Sequence, residues 1–211
     1  MSILVSDIFR RAAIVLNDDE YVRWTQDELF LWLNDAAGEI VIRRPAARSI
    51  TSDLSLIEGP IQHLPEGGIQ LLDVVRNKPG RPIGRIKRIL LDAQFPDWYD
   101  LPTSRTKAIK HYSFEDVAPT QFYVYPPAKA GMVVEGQYSE APPAVSDPTD
   151  MLDLDRAFVG PLVSYILYRA LAKDSEYANG ALSAAHFQAF NEALVAQNQV
   201  SALETGKAGS A

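Results

Sequence analysis

Apolar residues recur every three or four positions at both ends of the chain and every second position through its middle. Val5, Ile8, Phe9, Ala12, Ala13 and Leu16 share one helical face, which predicts a helix over about 6–16 ended by Asn17, Asp18 and Asp19. Thr25, Gln26, Asp27 and Glu28 have the form of a capping box: the threonine hydroxyl takes an orphan amide and the glutamate reaches back. A second helix follows, with Leu29, Trp32, Leu33, Ala36, Ala37, Ile40 and Val41 as a continuous stripe. Pro45 stops it.

From Ala46 to Pro148 the period changes to that of strands. Ile50, Ser52, Leu54 and Leu56 alternate with Thr51, Asp53 and Ser55. Gly59-Pro60 and the run from Pro65 to Gly68 are turn signals. Further strands are predicted over 70–76, 108–114, 121–125 and 132–138, those over 108–114 and 121–125 being rich in β-branched and aromatic residues. A short helix is predicted over 88–94, closed by Pro96. Turns are expected at 77–80 and 126–131, and the prolines between 142 and 148 close the region.

Helices return towards the end. Asp155 or a neighbour caps a segment reaching Lys173, with Pro161 in or just before its first turn, where a missing amide does least harm. Leu162, Val163, Ile166, Leu167, Ala170 and Leu171 make this helix apolar on most sides, so it is expected to be buried. The last helix is predicted over 177–199. Ala178, Ala181, Ala185, Ala189, Ala193 and Ala196 line one face for close helix approach, beside a stripe of Phe187, Phe190 and Leu194. Residues 200–211 are small and polar and are expected to be a flexible tail. The class is α+β. A helical bundle forms from 1–46 and 151–199, a β-rich insertion spans 47–150, and a tail follows.

Composition narrows the chemistry. There is no cysteine, so disulfides, thiolates and cysteine–zinc sites are excluded. No stretch approaches the ~20 apolar residues of a membrane span, and the N-terminus lacks the marks of a signal peptide. His63, His111 and His186 fall at no metal-ligand spacing, and the forms HExxH, GxGxxG and GxSxG are absent. Asp18, Asp19, Glu20, Asp27, Glu28, Asp35 and Glu39 read as a solvated acidic face rather than as paired catalytic carboxylates. No catalytic residue, metal site or cofactor is expected.

The net charge is −7, which disfavours a protein that wraps DNA. One segment departs from that balance. Arg76, Lys78, Arg81, Arg85, Lys87 and Arg88 are six bases among thirteen residues with no acid. Pro79, Gly80, Pro82 and Gly84 suggest a projecting loop. It is a solvated loop, a contact for an acidic neighbouring subunit, or a transient contact for DNA in a channel. No aromatic is interleaved to stack bases. Tyr123, Tyr125 and Tyr138 are expected either on an exposed contact face or in a two-sided core, and Trp98 as core filling.

Several ordered motifs carry a resemblance. They begin with Trp24-Thr25, Glu28-Leu29, Trp32-Leu33-Asn34-Asp35-Ala36 and Arg44-Pro45. Leu64-Pro65, Leu72-Asp73-Val74, Arg76-Asn77, Leu91-Asp92 and Phe95-Pro96-Asp97-Trp98 follow. His111-Tyr112, Phe122 to Pro127, Tyr138-Ser139 with Pro142, and Tyr168 to Asp174 with Glu176-Tyr177 complete the set. In this order they resemble the podophage head-to-tail adaptor, or tail tubular protein A-like, family over nearly the whole chain. The resemblance implies a structural virion protein with a helical bundle and a β-rich domain. It implies a ring of twelve subunits at the head–tail junction, beneath the portal protein, lining the DNA ejection channel. A C-terminal extension reaches the portal, which here assigns portal binding to Val200, Ser201, Ala202, Leu203, Glu204, Thr205, Gly206 and Lys207. The β domain meets a tail nozzle of the tail tubular protein B-like kind and, in some members, tail fibres. Contact with genomic DNA is transient, there is no membrane partner, and assembly takes place in the host cytoplasm. Some relatives are credited with cell-wall or polysaccharide hydrolysis, so a virion-associated hydrolase stands as the alternative, although no motif here carries it. A tail that orders only on binding implies subunits that stay monomeric until a portal templates the ring, which closes through a heterologous interface.

Overall fold

A computed structural model describes residues 2–173 and 178–208, with side chains described as far as Val195. The chain is α+β. In order, its elements are β1 (Ile3–Leu4), α1 (Val5–Leu16), α2 (Gln26–Arg43), β2 (Ser49–Ser55), β3 (Gly59–His63), β4 (Gly68–Asn77), β5 (Gly84–Arg85), α3 (Arg88–Gln94), β6 (His111–Phe114), β7 (Gln121–Ala128), β8 (Val133–Glu140), β9 (Met151–Leu152), α4 (Val159–Ala172) and α5 (Gly180–Ala208). Two compact units form: Met1–Ala47 with Pro142–Ala211, and Arg48–Ala141.

In the helical unit, α1 buries the six stripe residues from Val5 to Leu16, and α2 buries all seven from Leu29 to Val41. Asn17 ends α1 in the left-handed region at φ 53°, which asparagine tolerates better than most side chains. The capping box forms: Thr25 Oγ1 accepts from the Glu28 amide at 3.4 Å, and Glu28 Oε2 accepts from the Thr25 amide at 3.2 Å. Asp155 caps a short 3₁₀ turn ahead of α4, its carboxylate accepting from the Ala157 amide at 2.9 Å. Helix α4 packs against α1, α2 and α5 and buries Pro161, Leu162, Tyr165, Ile166, Leu167 and Ala170.

Three expectations change here. Residues 142–150 belong to the helical unit and not to the insertion. The Ser6 amide donates to Pro148 O and the Val5 amide to Asp150 O, and β1 then pairs antiparallel with β9. The alanine face of α5 does not make the helix contact: Ala181, Ala185 and Ala189 are exposed, while Ser183, Phe190 and Leu194 are buried. Phe187 and Phe190 meet Tyr168 and Tyr165 of α4 at 4.8 and 5.2 Å between ring centres. Bulky aromatics therefore set the spacing that small residues were expected to set. Finally, α5 begins at Gly180 and its backbone stays helical to Ala208, where a flexible tail from 200 was expected. Ala202, Leu203, Glu204 and Lys207 favour helix, which outweighs Gly206. Tyr177, the expected start of that helix, and residues 209–211 lie outside the described residues.

The β unit holds two sheets, ordered β2-β8-β4 and β3-β7-β6-β5. Leu54, Leu71, Val74, Ile109, Tyr112, Phe122, Val124 and Val134 make its core. Tyr138 is buried in that same core, so it is not an exposed contact residue. Tyr123 and Tyr125 are half-buried. Tyr125 stacks on Phe95 at 4.7 Å, and Trp98, which is buried, stands edge-on to Tyr123. Two strands escape the alternation pattern: β3, which begins at the Gly59-Pro60 turn signal, and the two-residue β5. Strand β7 continues through Pro126 and Pro127 to Ala128, into the first half of the expected turn.

Candidate interaction surface

The segment from Arg76 to Arg88 folds back onto the sheets and does not project. A β-bridge joins Arg76 to Pro82, and β5 pairs in parallel with β6. Most of its cations are held inside the unit. Arg76 and Glu135 face each other across β4 and β8, and the guanidinium lies 2.9 Å from the carboxylate. Asp53 on β2 is the register partner of Glu135 from the other side. Lys78 Nζ bridges the two acids, 2.5 Å from Asp53 and 3.3 Å from Glu135. The hydrogen bond from Arg76, aided by Lys78, holds the Glu135 carboxyl below its ordinary range, and the bond to Asp53 raises Lys78. Two bases thus let two like charges sit opposite each other, an arrangement that destabilises a sheet when unpaired. Arg85 lies 4.1 Å above the Phe114 ring, and Arg88 pairs with Glu115 at 3.0 Å. Arg81 and Lys87 are exposed and make no ion pair among the described residues.

Arg81 also borders a concavity of about 860 Å³ in the β unit. Arg81, Arg105, Lys107, Lys110 and His111 line it, with Pro82, Ile109 and Pro126 among its apolar residues. No carboxylate lines it. Arg105, Lys107 and Lys110 are exposed and, among the described residues, form no ion pair. Asn77 ties two of the lining segments together. Its Nδ2 donates to Ile109 O at 2.8 Å and its Oδ1 accepts from the Ile109 amide at 2.8 Å. The Asn77 amide also donates to Arg81 O at 2.9 Å, which holds both sides of the groove on one residue. Sequence reading missed the groove because its cations come from separate segments. The available signal was the stretch from Leu101 to Phe114, which holds three bases and no acid.

Several of the remaining candidates have structural partners. Asp35 pairs with Arg169, Glu39 with Arg43 and Glu28 with Lys173. Arg43 also donates to Asn191 of α5. Asp18 is buried, and its carboxylate accepts from the amides of Val22, Arg23 and Trp24 at 3.0, 2.9 and 3.1 Å. In the β unit the Tyr112 hydroxyl donates to Asp73 at 2.6 Å, and burial together with that bond raises the phenol. His63 is exposed, His186 is half-buried on α5, and His111 stacks on Tyr125. Among the described residues no three His, Asp or Glu side chains gather as a metal-ligand set, and no helix is long and apolar enough to cross a membrane. The residues from Val200 to Lys207 lie on the backbone of α5, and their side chains are outside the described residues.

A family model described as SU10 adaptor protein matches residues 3–208. No curated protein matches the chain.

Proposed function

The chain belongs to the SU10 adaptor protein family, bacteriophage structural adaptors, and from that premise we propose that it is a head-to-tail adaptor of the tail tubular protein A-like kind. In this reading twelve subunits, each with its helices bundled around α4, form a ring between the portal and a tail nozzle. The ring lines the channel through which DNA leaves. It is built in the host cytoplasm and is carried in the virion at the head–tail junction. The observation behind the reading is the extent of the family match, which takes in both compact units and all of α5.

The roles divide by charge and position. The end of α5, from Val200 to Lys207, is the portal-binding element. In the basic segment, Arg81 and Lys87 are the residues free to meet a neighbouring subunit or passing DNA, since Arg76, Lys78, Arg85 and Arg88 already have partners within the β unit. The nozzle and any tail fibres meet the β unit.

The test is cryo-electron microscopy of the full chain mixed with its portal, beside the chain alone. A twelve-fold ring on the portal, with the Val200–Lys207 segment against it, is the expected result. A chain truncated after Gln199 should fold and fail to bind. A full chain that ignores the portal overturns the reading and turns attention to assays of cell-wall and polysaccharide hydrolysis.

A further inference from the structure

The charges of the two units are unequal in a way that the net value hides. The helical unit carries 9 Lys and Arg against 16 Asp and Glu, so the whole charge of −7 lies there. The β unit carries 11 against 11, but 9 of those bases fall between Arg76 and Lys110, beside only Asp92, Asp97 and Asp100. Within that stretch Arg76, Lys78 and Arg88 are neutralised by acids of their own unit. Among the described residues Arg81, Arg105, Lys107 and Lys110 are not, and these four line one groove. Four unpaired cations lining one concavity repel one another unless an anion joins them.

We propose that this groove seats the acidic helical unit of a second copy of the chain. The proposal rests on the ring reading and gives that ring its subunit contact. A groove on one unit and a complementary surface on the other make the contact heterologous, so each copy is both donor and acceptor and the contact repeats until it closes. Charge steers the encounter and sets the register, and the prolines of the lining supply apolar area once water is expelled. Nucleic acid is the weaker occupant. His111 is the only aromatic-type ring on the lining, which gives bases little to stack on, and the apolar residues of the lining add nothing to phosphate binding.

The experiment uses the full chain at high concentration and low salt, as an equal mixture of isotope-labelled and unlabelled protein. A water-soluble carbodiimide joins lysine amines to carboxylates that lie in direct contact. Lys107 and Lys110 should couple to carboxylates of residues 1–47 or 142–211 in peptide pairs of mixed isotope, which prove contact between copies. High salt should suppress these pairs. Arg81→Gln with Arg105→Gln removes two charges without adding a carboxylate that could capture Lys107 or Lys110, and should lower the mixed yield severalfold. Arg81→Lys with Arg105→Lys should keep most of it, which guards against loss through misfolding. Same-isotope pairs alone, or no pairs from these lysines, overturn the proposal. Protection of the lysines by duplex DNA, with no mixed pairs, gives the groove to phosphate instead. Portal binding is scored separately on the same samples. A wild-type chain that binds the portal without mixed pairs overturns the groove and leaves the ring reading standing, and one that gives mixed pairs but ignores the portal does the reverse.

Discussion

Asn34 holds Val145 by both sides of its peptide: Oδ1 accepts from the Val145 amide at 2.9 Å and Nδ2 donates to the Val145 carbonyl at 3.0 Å. One side chain thereby replaces the strand partner that a buried residue in irregular backbone lacks, since Val145 is only 6% exposed. The pair ties the segment after Pro142 to α2. Asn34→Ala leaves both groups buried without partners, and the expected cost is about 2–4 kcal/mol in urea unfolding. Asn34→Asp keeps the acceptor and sets a carboxylate against a carbonyl, so it should recover little of the loss. A change below roughly 0.5 kcal/mol for the alanine variant would mean that water restores both bonds.

Asn77 does the same for Ile109 in the β unit, and its effect is local to the groove. Asn77→Ala should raise the hydrogen-exchange rate of the Ile109 amide, which is bonded to that side chain, far more than the rates of the β7 and β8 amides. Uniformly faster exchange across the unit would show a global loss of stability instead.

How much of this was legible depended on how local the cause was. The capping box needs only Thr25 and Glu28, three residues apart, and the α2 stripe needs only helical spacing, so both could be read from the sequence. The Asn34–Val145 and Asn77–Ile109 bonds cross 111 and 32 residues, and nothing in local pattern announces them. The basic segment was misjudged for the same reason. Its prolines and glycines signal a loop, but the acids that draw Arg76 and Lys78 down onto the sheet are Asp53 and Glu135 on other strands. Strand β5 is two residues long and has no period to detect. The outward alanines of α5 show the converse limit. A stripe can be read, but which of two stripes packs was decided by Tyr165 and Tyr168 on α4.

Gly136 makes the middle strand of the three-stranded sheet sensitive to a single methyl group. It lies on β8 in register with Ser52 on β2 and Val74 on β4. A Cβ there would stand 2.9 Å from Leu54 Cγ and closer still to Leu54 Cδ1. Leu54 is 6% exposed and has little room to turn away. Gly136→Ala should therefore cost about 1–3 kcal/mol through overpacking. The check is a cycle with Leu54→Ala. The glycine substitution should be nearly harmless once that side chain is shortened, and additive losses would refute the steric account.

Asp18 gives the helical unit a stability that depends on pH. Burial on its own raises this carboxyl, but the amides of Trp24, Val22 and Arg23, with the charge of Arg23, outweigh it, and the group titrates below its ordinary value of 3.8. The folded form therefore favours the carboxylate more than the unfolded form does. That stabilisation is complete above the unfolded value and is lost as pH falls through the folded one. Glu28, held down chiefly by Lys173, Glu135, held down by Arg76, and Asp147, held down by Thr149, titrate in the same acid range, so the wild-type curve alone does not isolate Asp18. The difference between wild type and Asp18→Asn does. Asparagine keeps one acceptor but no charge for the three amides. The gap in unfolding free energy should be widest near neutral pH, at roughly 2 kcal/mol, and should narrow as pH drops below about 4. The loop from Asp18 to Trp24 also carries the Trp24 indole, whose Nε1 donates to Ala170 O of α4 at 3.1 Å, so its loosening should show in tryptophan fluorescence before global unfolding. A gap that stays constant with pH would mean that the amides bind the oxygen of Asp18 by geometry and take nothing from its charge.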